Sequence, residues 1–425
     1  MIELYDQLNT LEIRRPWKGF IGVDDAGRLE IPPEVARLCG LRPGARVYLE
    51  SGENGLLLRR PVTALARVYV EPTNTCNLEC RTCVRRVWEE PLGAMEPWIF
   101  KNVLEGVRAV EPRPEVFFGG FGEPLGHPEI LTMVGAAHEA GARTELITNG
   151  VLLQEETARG LIEAGLDFLW VSLDGATPES YLDVRLGDEL PRILENLRRL
   201  RPLRYSMRSP VPKLGIAFVA MKRNLQDLPE VVSLGRRLGV RRFHVSNVLP
   251  YTEEMREEVL YGRSLWEDRY RFERLTLPRM DTSPGLLAVW KKLVYHSDWT
   301  ALAGREFGGP FDACPFVERG SVSVRWDGKV SPCLPLLHTH DSYLGDTHRR
   351  NEAYFAGTLE ESSLQSIWTE PGYVRLRERL QEFDFSPCTT CNSCEMAEGN
   401  VEDCFGSEHP ACGGCLWAQG FVRCP

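Results

Sequence analysis

The most informative segment of this chain is Cys76-Asn77-Leu78-Glu79-Cys80-Arg81-Thr82-Cys83, where three cysteines are spaced C-x3-C-x2-C. It follows a short run, Ala66 to Val70, that is typical of a strand. Three thiolates suit a [4Fe–4S] cluster with one open iron, because a closed cluster usually takes four. An open metal position can bind a substrate or cofactor, as in catalytic zinc sites. A structural zinc site is the alternative, although zinc sites usually contain two C-x2-C pairs and no second pair lies nearby.

With this spacing, Cys76, Cys80 and Cys83 resemble the signature of the radical S-adenosylmethionine (SAM) enzymes. The resemblance implies that the SAM amino and carboxylate groups chelate the open iron of a [4Fe–4S] cluster. It also implies that an electron from the cluster cleaves SAM to methionine and a 5′-deoxyadenosyl radical, which abstracts a hydrogen atom. The family often has an aromatic residue before the third cysteine, packing near the adenine, whereas this chain has Thr82. We therefore expect the adenine contact to come from elsewhere in the chain.

Length and composition narrow the classes of protein. The chain has 425 residues, enough for two or three domains. A hydrophobic content of 43% and a charged content of 26% are typical of a soluble globular protein. The net charge of −10 does not favour nucleic acid as the main partner. We expect a cytoplasmic protein, because the sequence shows neither a signal peptide nor an apolar run long enough to span a membrane.

The thirteen cysteines indicate metal ligation rather than disulfides. Cys39 is interpreted as a small core residue. Three more form the triplet, and nine follow residue 313, a clustering that structural disulfides would not need. We expect an anaerobic setting, because oxygen attacks exposed clusters.

Residues 10–61 are predicted to form a separate β-rich domain. Asp24 to Pro32 is interpreted as a turn and strand, Pro33 to Leu38 as a short helix, and the runs Arg46–Glu50 and Gly55–Arg59 as a hairpin. The pattern resembles the AbrB/SpoVT-type swapped-hairpin domain, which usually dimerises and often binds DNA. Residues 1–61 contain nine Lys and Arg and nine Asp and Glu. This neutral balance favours dimerisation or docking over DNA binding, which requires excess positive charge.

Residues 62–250 alternate between strand-like and helix-like runs. Six strand–helix units indicate a parallel sheet with right-handed crossovers. The radical SAM resemblance implies an α/β fold in which these units form a partial (β/α)6, TIM-like barrel. Functional groups are then expected at the carboxyl ends of the strands. The predicted strands are Val68–Val70, Val116–Phe118, Thr144–Thr148, Phe168–Leu173, Leu214–Ala220 and Arg242–Ser246.

Three loops at predicted strand ends carry candidate SAM-binding residues. The Gly119-to-Leu125 loop resembles the family's Gly-Glu-Pro motif, which implies that its acid faces the SAM amino group. The resemblance also implies polar groups near SAM in the second loop, Thr148 to Gly150. The third loop, Ser172 to Gly175, places a hydroxyl and a carboxylate on one side of an extended strand, where they suit a ribose. The alternatives are a glycine-rich turn for the first loop, a plain turn for the second and a helix cap for the third. The candidates are Gly120, Gly122, Glu123, Thr148, Asn149, Ser172 and Asp174.

Residues 251–310 are predicted to form a helical bridge between two domains. Its tryptophans Trp266, Trp290 and Trp299 are interpreted as packing residues. His244 and His338 are candidate acid–base groups, but lone histidines more often serve structure. The sequence assigns no catalytic acid or base.

Residues 311–425 are predicted to form a cysteine-rich, SPASM-like domain. Cys314 and Cys333 flank a predicted hairpin that turns at Asp327-Gly328, and this spacing resembles the start of a SPASM domain. That domain carries auxiliary [4Fe–4S] clusters on radical SAM enzymes that modify peptides and proteins. Two such clusters need eight thiolates, so one cysteine is spare or one cluster has an unusual ligand set. A zinc ribbon is the alternative. The candidate ligands are Cys314, Cys333, Cys388, Cys391, Cys394, Cys404, Cys412, Cys415 and Cys424.

These resemblances identify the chain as a member of the radical SAM/SPASM maturases. Its domain order and its tail, Cys412 to Gly420, resemble the maturases of tungsten-containing aldehyde ferredoxin oxidoreductases. This implies a protein substrate or its cofactor, a low-potential electron donor such as ferredoxin, and a homodimer formed through the N-terminal domain. An enzyme forming a thioether or C–C crosslink in a peptide is one alternative. A metal-sensing DNA-binding regulator is the alternative from another class. The hydrogen atom abstracted and the fate of SAM stay open.

Overall fold

The computed structural model describes residues 20–52, 55–240, 242–262, 285, 288–289, 313–389 and 394–425. Cys391, the three tryptophans Trp266, Trp290 and Trp299, and most of the predicted helical bridge lie outside these residues. No helix in the described ranges is both long enough and apolar enough to cross a membrane.

The N-terminal part contains two antiparallel hairpins, in agreement with the predicted β-rich domain. The second hairpin begins at Leu49 rather than at Arg46, and the helix between the hairpins ends where Gly40 adopts a φ of +70°. Several large apolar side chains of this part are exposed, among them Leu49 and Leu56. The elements are β1 (Gly22–Val23), β2 (Leu29–Glu30), α1 (Pro33–Cys39), β3 (Leu49–Gly52) and β4 (Gly55–Leu58).

The main sheet of the described residues has nine strands, and six consecutive parallel strands in it confirm the strand–helix alternation predicted from the sequence. Their spatial order is sequential, from β10 at the free edge to β5. They are β5 (Arg67–Val70), β6 (Glu115–Phe118), β7 (Thr144–Thr148), β8 (Phe168–Ser172), β9 (Lys213–Ala220) and β10 (Arg242–Asn247). The helices of this part are α2 (Pro97–Arg108), α3 (Ile130–Glu139), α4 (Glu155–Glu163), α5 (Pro178–Arg185), α6 (Leu190–Ser206), α7 (Leu228–Arg237) and α8 (Glu253–Arg256).

The two faces of this sheet have different contents, because side chains alternate along each strand. Val68 and Val70 of β5 belong to the large apolar core between sheet and helices. Tyr69, between them, packs on the opposite face with Phe117 and Trp170. The face that carries Tyr69 is therefore filled by aromatic side chains at these positions. A binding site for a ligand is then expected at the carboxyl ends of the strands.

The C-terminal domain is joined to the barrel by main-chain hydrogen bonds. Strand β11 (Ser321–Val324) pairs in parallel with β5 and antiparallel with β12 (Lys329–Ser331), so the domain's first hairpin extends the barrel sheet. Its predicted turn is confirmed, since Gly328 has a φ of +86° and donates its N–H to the Arg325 carbonyl at 2.9 Å. The other elements are α9 (Pro315–Arg319), β13 (His340–Leu344), β14 (Thr347–Asn351), β15 (Gly357–Thr358), α10 (Leu364–Trp368) and α11 (Pro371–Glu382).

The last residues of the chain return to β10, at the free edge of the barrel sheet. Asn247 Nδ2 donates to the Phe421 carbonyl at 2.8 Å, and the Arg423 N–H donates to Ser246 Oγ at 2.9 Å. The backbone oxygen of Pro425 accepts hydrogen bonds from Arg67 and Arg319 at 3.2 and 3.0 Å. Residues 421–425 thus contribute to the inside of the partial barrel, which the alternation of strands and helices does not indicate.

Candidate active site

A cavity of about 310 Å³ lies at the carboxyl ends of the parallel strands. Its size falls within the range of small-molecule and cofactor pockets. It brings together every residue that the sequence analysis assigns to SAM and to its cluster. These are Cys76, Cys80, Cys83, Gly120, Gly122, Glu123, Thr148, Asn149, Ser172 and Asp174.

Cationic and amide donors surround the cysteine triplet. Arg85 donates to the Leu78 carbonyl inside the loop. Burial lowers the pKa of Arg85, but the neighbouring Cys83, Cys76 and Cys80 raise it above its ordinary value. Burial raises the pKa of the Cys76 thiol, and a backbone hydrogen bond from Leu78 and the charge of Arg85 oppose this. Three cysteines in one loop, with a cation beside them, are a donor set that fits an iron–sulfur cluster with one open iron.

A second arginine lies on the other side of the triplet. Arg185 Nη1 is 3.6 Å from Cys80 Sγ, and its Nη2 is 2.5 Å from Asp174 Oδ2. Burial lowers the pKa of Arg185, but the charges of Asp174 and Cys80 raise it well above its ordinary value. The other Asp174 oxygen accepts from the Val219 N–H at 2.8 Å. Asp174 is therefore fixed in the cavity wall rather than capping a helix, since Thr177 is the N-cap of α5.

Glu123 joins the first two predicted SAM loops. Its Oε1 accepts from Thr148 Oγ1 at 2.7 Å and from the Leu125 N–H at 3.0 Å. Its Oε2 accepts from the Asn149 N–H at 2.7 Å. Burial raises the pKa of this carboxyl, and the hydrogen bonds from Asn149, Thr148 and Leu125 partly offset that effect. The acid of one loop thus holds the polar residues of the next at the cavity wall.

The glycines of the first loop allow it to pack on the segment before Cys76. A Cβ at Gly122 would lie 2.1 Å from the Thr73 carbonyl oxygen, and one at Gly120 would lie 2.7 Å from Glu71 Cγ. The Glu123 N–H donates to the Thr75 carbonyl at 2.8 Å. Only glycine permits such an approach, so the loop and the cysteine triplet form one unit.

Several residues of the cavity wall were not predicted from the sequence. Arg85 lies two residues after Cys83 and could have been found by examining that loop for cations. Tyr251 follows β10, and Trp417 and Cys424 come from the end of the chain. No local pattern marks these three, because only the folded chain brings them to the triplet. His244 also lines the cavity, and burial lowers its pKa to about 4.

His338, the other candidate histidine, is not in this cavity wall. It is buried, and its Nε2 lies 2.9 Å from Oε2 of Glu71, at the end of β5. Its ring also contacts Trp88 and Phe121, with centroid distances of 4.3 and 5.6 Å. These contacts join the C-terminal domain to the barrel, which supports a structural role.

A second cavity lies in the C-terminal domain and is lined by Cys314, Cys333, Cys412 and Cys415. Burial raises the pKa of all four thiols, to about 12 for Cys314. The charge of Arg349 opposes this rise at Cys412 and Cys415. Four cysteines around one cavity with a cation nearby fit a closed [4Fe–4S] cluster.

The two glycines between Cys412 and Cys415 fit tightly against their neighbours. A Cβ at Gly413 would lie 1.9 Å from the Ser386 carbonyl oxygen. The Gly414 carbonyl accepts a hydrogen bond from Arg349 Nη1 at 3.0 Å, and a Cβ at Gly414 would lie 1.6 Å from that nitrogen. Packing against backbone thus requires glycine at Gly413, whereas a Cβ at Gly414 would displace the Arg349 guanidinium from its hydrogen bond.

The nine cysteines after residue 313, called the late cysteines below, do not all line this second cavity. Cys388 Sγ lies 3.0 Å from Ser386 Oγ, and the Ser386 N–H donates to Asp403 Oδ2 at 3.0 Å, which joins the segments of Cys388 and Cys404. Cys394 is partly exposed and Cys404 is exposed. Cys424 lines the first cavity, together with the triplet.

Comparisons with known proteins identify two families in this chain. The radical SAM superfamily model matches residues 70–209, and an iron-sulfur cluster-binding domain, SPASM, matches residues 314–395. The predicted domain boundaries 10–61, 62–250, 251–310 and 311–425 stay predictions. The chain is 30% identical over 362 residues to a tungsten-containing aldehyde ferredoxin oxidoreductase cofactor-modifying protein of Pyrococcus furiosus, covering 84% of this chain and 96% of that protein.

More distant relatives are a peptide-modifying enzyme and a solved structure. A PqqA peptide cyclase of Gluconobacter oxydans is 27% identical, covering 81% of this chain and 85% of that protein. The structure of Streptococcus suis SuiB bound to S-adenosylmethionine superposes with a TM-score of 0.52 at 17% identity, covering 80% of this chain and 72% of SuiB, and supports the fold. The family findings favour an enzyme over the DNA-binding regulator. The chain belongs to the radical SAM enzymes that carry a C-terminal SPASM iron–sulfur domain.

Proposed function

We propose that this enzyme matures a tungsten-containing aldehyde ferredoxin oxidoreductase by a radical modification of that protein or of its cofactor. The observation that carries the proposal is the 30% identity to the cofactor-modifying protein of Pyrococcus furiosus across 96% of its length. A match over 84% of this chain must reach into both cysteine-bearing domains, whereas the match to the Methanosarcina barkeri heme synthase covers 42% of this chain.

When bound, the cluster and SAM supply a 5′-deoxyadenosyl radical, which can break an unactivated C–H bond that acid–base groups cannot. The chain's own residues supply binding and position. Cys76, Cys80 and Cys83 are the proposed iron ligands. The Arg85 guanidinium opposes the rise that burial causes in the pKa of Cys76, and the Arg185 guanidinium lies 3.6 Å from Cys80 Sγ.

Glu123 is the proposed acceptor for the SAM ammonium group. A carboxylate offers about four lone-pair sites, and Oε1 already accepts two hydrogen bonds. Oε2 accepts one, from the Asn149 N–H, and keeps capacity for an ammonium donor. Ser172 and Asp174 remain candidates for the ribose, with Asp174 limited by its ion pair to Arg185.

We assign the auxiliary clusters by position. Cys314, Cys333, Cys412 and Cys415 are the proposed ligands of one cluster, because they line one cavity. Cys388, Cys391, Cys394 and Cys404 are the proposed ligands of the second. For Cys391, which lies outside the described residues, the assignment rests on the count of late cysteines alone. Cys424 is the ninth cysteine and the spare one.

The proposed partners follow from charge and exposure. The N-terminal domain has a neutral charge balance and exposes apolar side chains, which suits a homodimer or a docking contact. The exposed residues include Val23, Leu29, Leu49, Leu56 and Leu57. We also propose a ferredoxin-like donor of low-potential electrons and a cytoplasmic location.

The test compares the oxidoreductase and its extracted cofactor from cells with the enzyme, without it, and with a Cys76→Ala, Cys80→Ala, Cys83→Ala variant. The variant is the matched control, since it keeps the docking surfaces but cannot cleave SAM. We expect a mass change in the protein or its cofactor, and oxidoreductase activity, only with the wild-type enzyme. Unchanged masses and activity in all three would contradict the tungsten assignment. A modified small peptide would instead support the peptide-crosslinking alternative.

A further inference from the structure

Cys424 packs near Cys314 and Cys333 against one apolar cluster but lines a different cavity from them. Four of the late cysteines line the cavity of the C-terminal domain, but Cys424 lines the cavity that contains Cys76, Cys80 and Cys83. Two clusters with four cysteine ligands each account for eight of the nine late thiols. Count and position therefore agree that Cys424 is available for another role.

The structure holds this thiol in place through its neighbours. Trp417 Nε1 donates to Cys424 Sγ at 3.4 Å. On one side the Arg423 N–H donates to Ser246 of β10, and on the other the Pro425 oxygen accepts from Arg67 and Arg319. The Cys424 side chain is partly exposed, and hydrogen bonds of the residues on both sides hold its backbone. It can therefore face a ligand from a fixed position.

Trp417 connects the two cavities. Among the residues that the structure describes, only Trp417 and Leu249 line both of them, and of these only the indole can carry an electron. Trp417 lies two residues after Cys415 and is hydrogen-bonded to Cys424. A redox-active ring thus lies between the four-cysteine site and the spare thiol.

We propose that Cys424 is a catalytic thiol that donates a hydrogen atom to a carbon-centred radical in the SAM cavity. In this step the S–H bond of Cys424 breaks and a C–H bond forms at the radical carbon, leaving a thiyl radical. One electron passing through Trp417 and one proton from water restore the thiol. The electron comes from a low-potential iron–sulfur donor, the class of reductant that SAM cleavage already requires. The role of Trp417 rests on the auxiliary-cluster assignment proposed above.

The environment of Cys424 supports the protonated form that such a donor needs. Burial raises the pKa of this thiol, and the Trp417 hydrogen bond and the charges of Arg319 and Arg67 only partly oppose the rise. A thiol hydrogen exchanges with solvent, whereas a C–H hydrogen does not. In D2O, a hydrogen atom donated by Cys424 is therefore deuterium, which marks its product.

The test is SAM cleavage by the cluster-loaded enzyme in D2O, with dithionite as reductant and no added thiol or substrate. We expect 5′-deoxyadenosine that carries one deuterium with the wild-type enzyme, and loss of this label in Cys424→Ser and Cys424→Ala. Cys39→Ser, in the N-terminal part, is the matched control and keeps the label. Unlabelled product from the wild type, or a label that survives in both Cys424 variants, would overturn the proposal. No oxidoreductase is present, so failure of the tungsten assignment would leave this result unchanged.

Iron content and alkylation give a readout that does not depend on turnover. Cys424→Ser should keep the wild-type iron content, and N-ethylmaleimide should modify Cys424 in the loaded wild type more slowly when SAM is present. A loss of about four iron atoms would instead make Cys424 a cluster ligand and refute the proposal. Trp417→Phe should form labelled product once and then turn over more slowly than wild type. Wild-type turnover in that variant would remove Trp417 from the electron path.

Discussion

The proposed SAM site and the four-cysteine site of the C-terminal domain contain similar parts but are assembled differently. The triplet occupies eight consecutive residues after β5. The other site combines Cys314 and Cys333, which flank a hairpin on the edge of the barrel sheet, with Cys412 and Cys415 from the returning tail. Both sites have an arginine beside the thiols and glycines packed against a carbonyl. A site within one loop can be predicted from its spacing, whereas a site assembled from distant segments needs the fold.

The strongest test of this comparison removes the local site. Replacing Cys76, Cys80 and Cys83 by Ala should abolish 5′-deoxyadenosine formation, because no ligand would remain for the cluster that binds SAM. Iron should fall from about twelve to about eight atoms per chain, since the two proposed auxiliary clusters use other cysteines. Anaerobic reconstitution followed by iron, sulfide and nucleoside analysis measures both quantities.

Two results would contradict this separation of sites. Reductive SAM cleavage by the triple variant would show that the triplet is not the SAM site. Bound zinc with almost no iron in that variant would favour a zinc ribbon in the tail. Cys39→Ala, whose thiol belongs to α1, is the control and should leave both quantities unchanged.

The second test removes one ligand of the distant site. Cys412→Ala should cost up to about four iron atoms per chain, because the cavity would lose one of its four thiols. The triplet signal in electron paramagnetic resonance should persist, since its ligands belong to another loop. A Cys412→Ala protein with full iron content would refute the grouping with Cys314, Cys333 and Cys415. Cys424→Ala, which changes a cysteine of the same tail, is the matched comparison and should retain all iron.

Sequence analysis predicted the parts of the molecule that depend on local spacing. Six strands and the turn at Asp327-Gly328 were predicted because periodicity and turn chemistry are local properties. The three loops were found at the predicted strand ends, and their assignment to SAM was implied by the family resemblance. The partial barrel brought all seven predicted SAM-binding candidates to one cavity. Their individual contacts were not predictable, because Glu123 binds Thr148 and Asn149 across two loops.

The division of the nine late cysteines could not be predicted. The tail departs from the usual spacing, and neighbours in sequence lie in different places, since Cys415 and Cys424 line different cavities. Cys314 and Cys412 are 98 positions apart in the sequence but share one cavity. Their grouping depends on the pairing of β11 with β5 and on the return of the tail to β10, and both are long-range contacts.

The third test adds the same group, one methyl beside a backbone carbonyl, at each of the two sites. Gly122→Ala should clash with the Thr73 carbonyl and weaken SAM cleavage, whereas Gly413→Ala should clash with the Ser386 carbonyl and reduce auxiliary iron. Overpacking of this kind typically costs about 1–3 kcal/mol or somewhat more when backbone must move. Iron content, SAM cleavage and thermal unfolding of the loaded proteins measure the two effects.

The control for both is Gly135→Ala, in helix α3, where a Cβ would make an ordinary contact at 3.9 Å. Replacing a helical glycine by alanine should stabilise the chain by about 0.5–1 kcal/mol. If Gly122→Ala and Gly413→Ala affected both sites equally, the two glycine loops would be coupled, and the comparison of independent sites would be wrong.

The smallest expected effect is on the reactivity of Cys424, which lines the triplet cavity and contacts Trp417, a residue that lines both cavities. Alkylation requires the thiolate, and burial raises the pKa of this thiol. The rate constant for N-ethylmaleimide should therefore rise with pH and reach half its maximum above the pH found for cysteine in a short peptide. Arg319→Gln removes a charge that lowers this pKa, so the midpoint should move further up and the rate at pH 8 should fall. Mass spectrometry of the modified peptide follows the rate in the cluster-loaded enzyme.

A midpoint below that of the short peptide would mean that positive charge outweighs burial at Cys424, and complete protection at every pH would mean that an iron atom holds it. Only slow, pH-dependent labelling agrees with a protonated thiol that belongs to the SAM cavity rather than to the clusters of the tail.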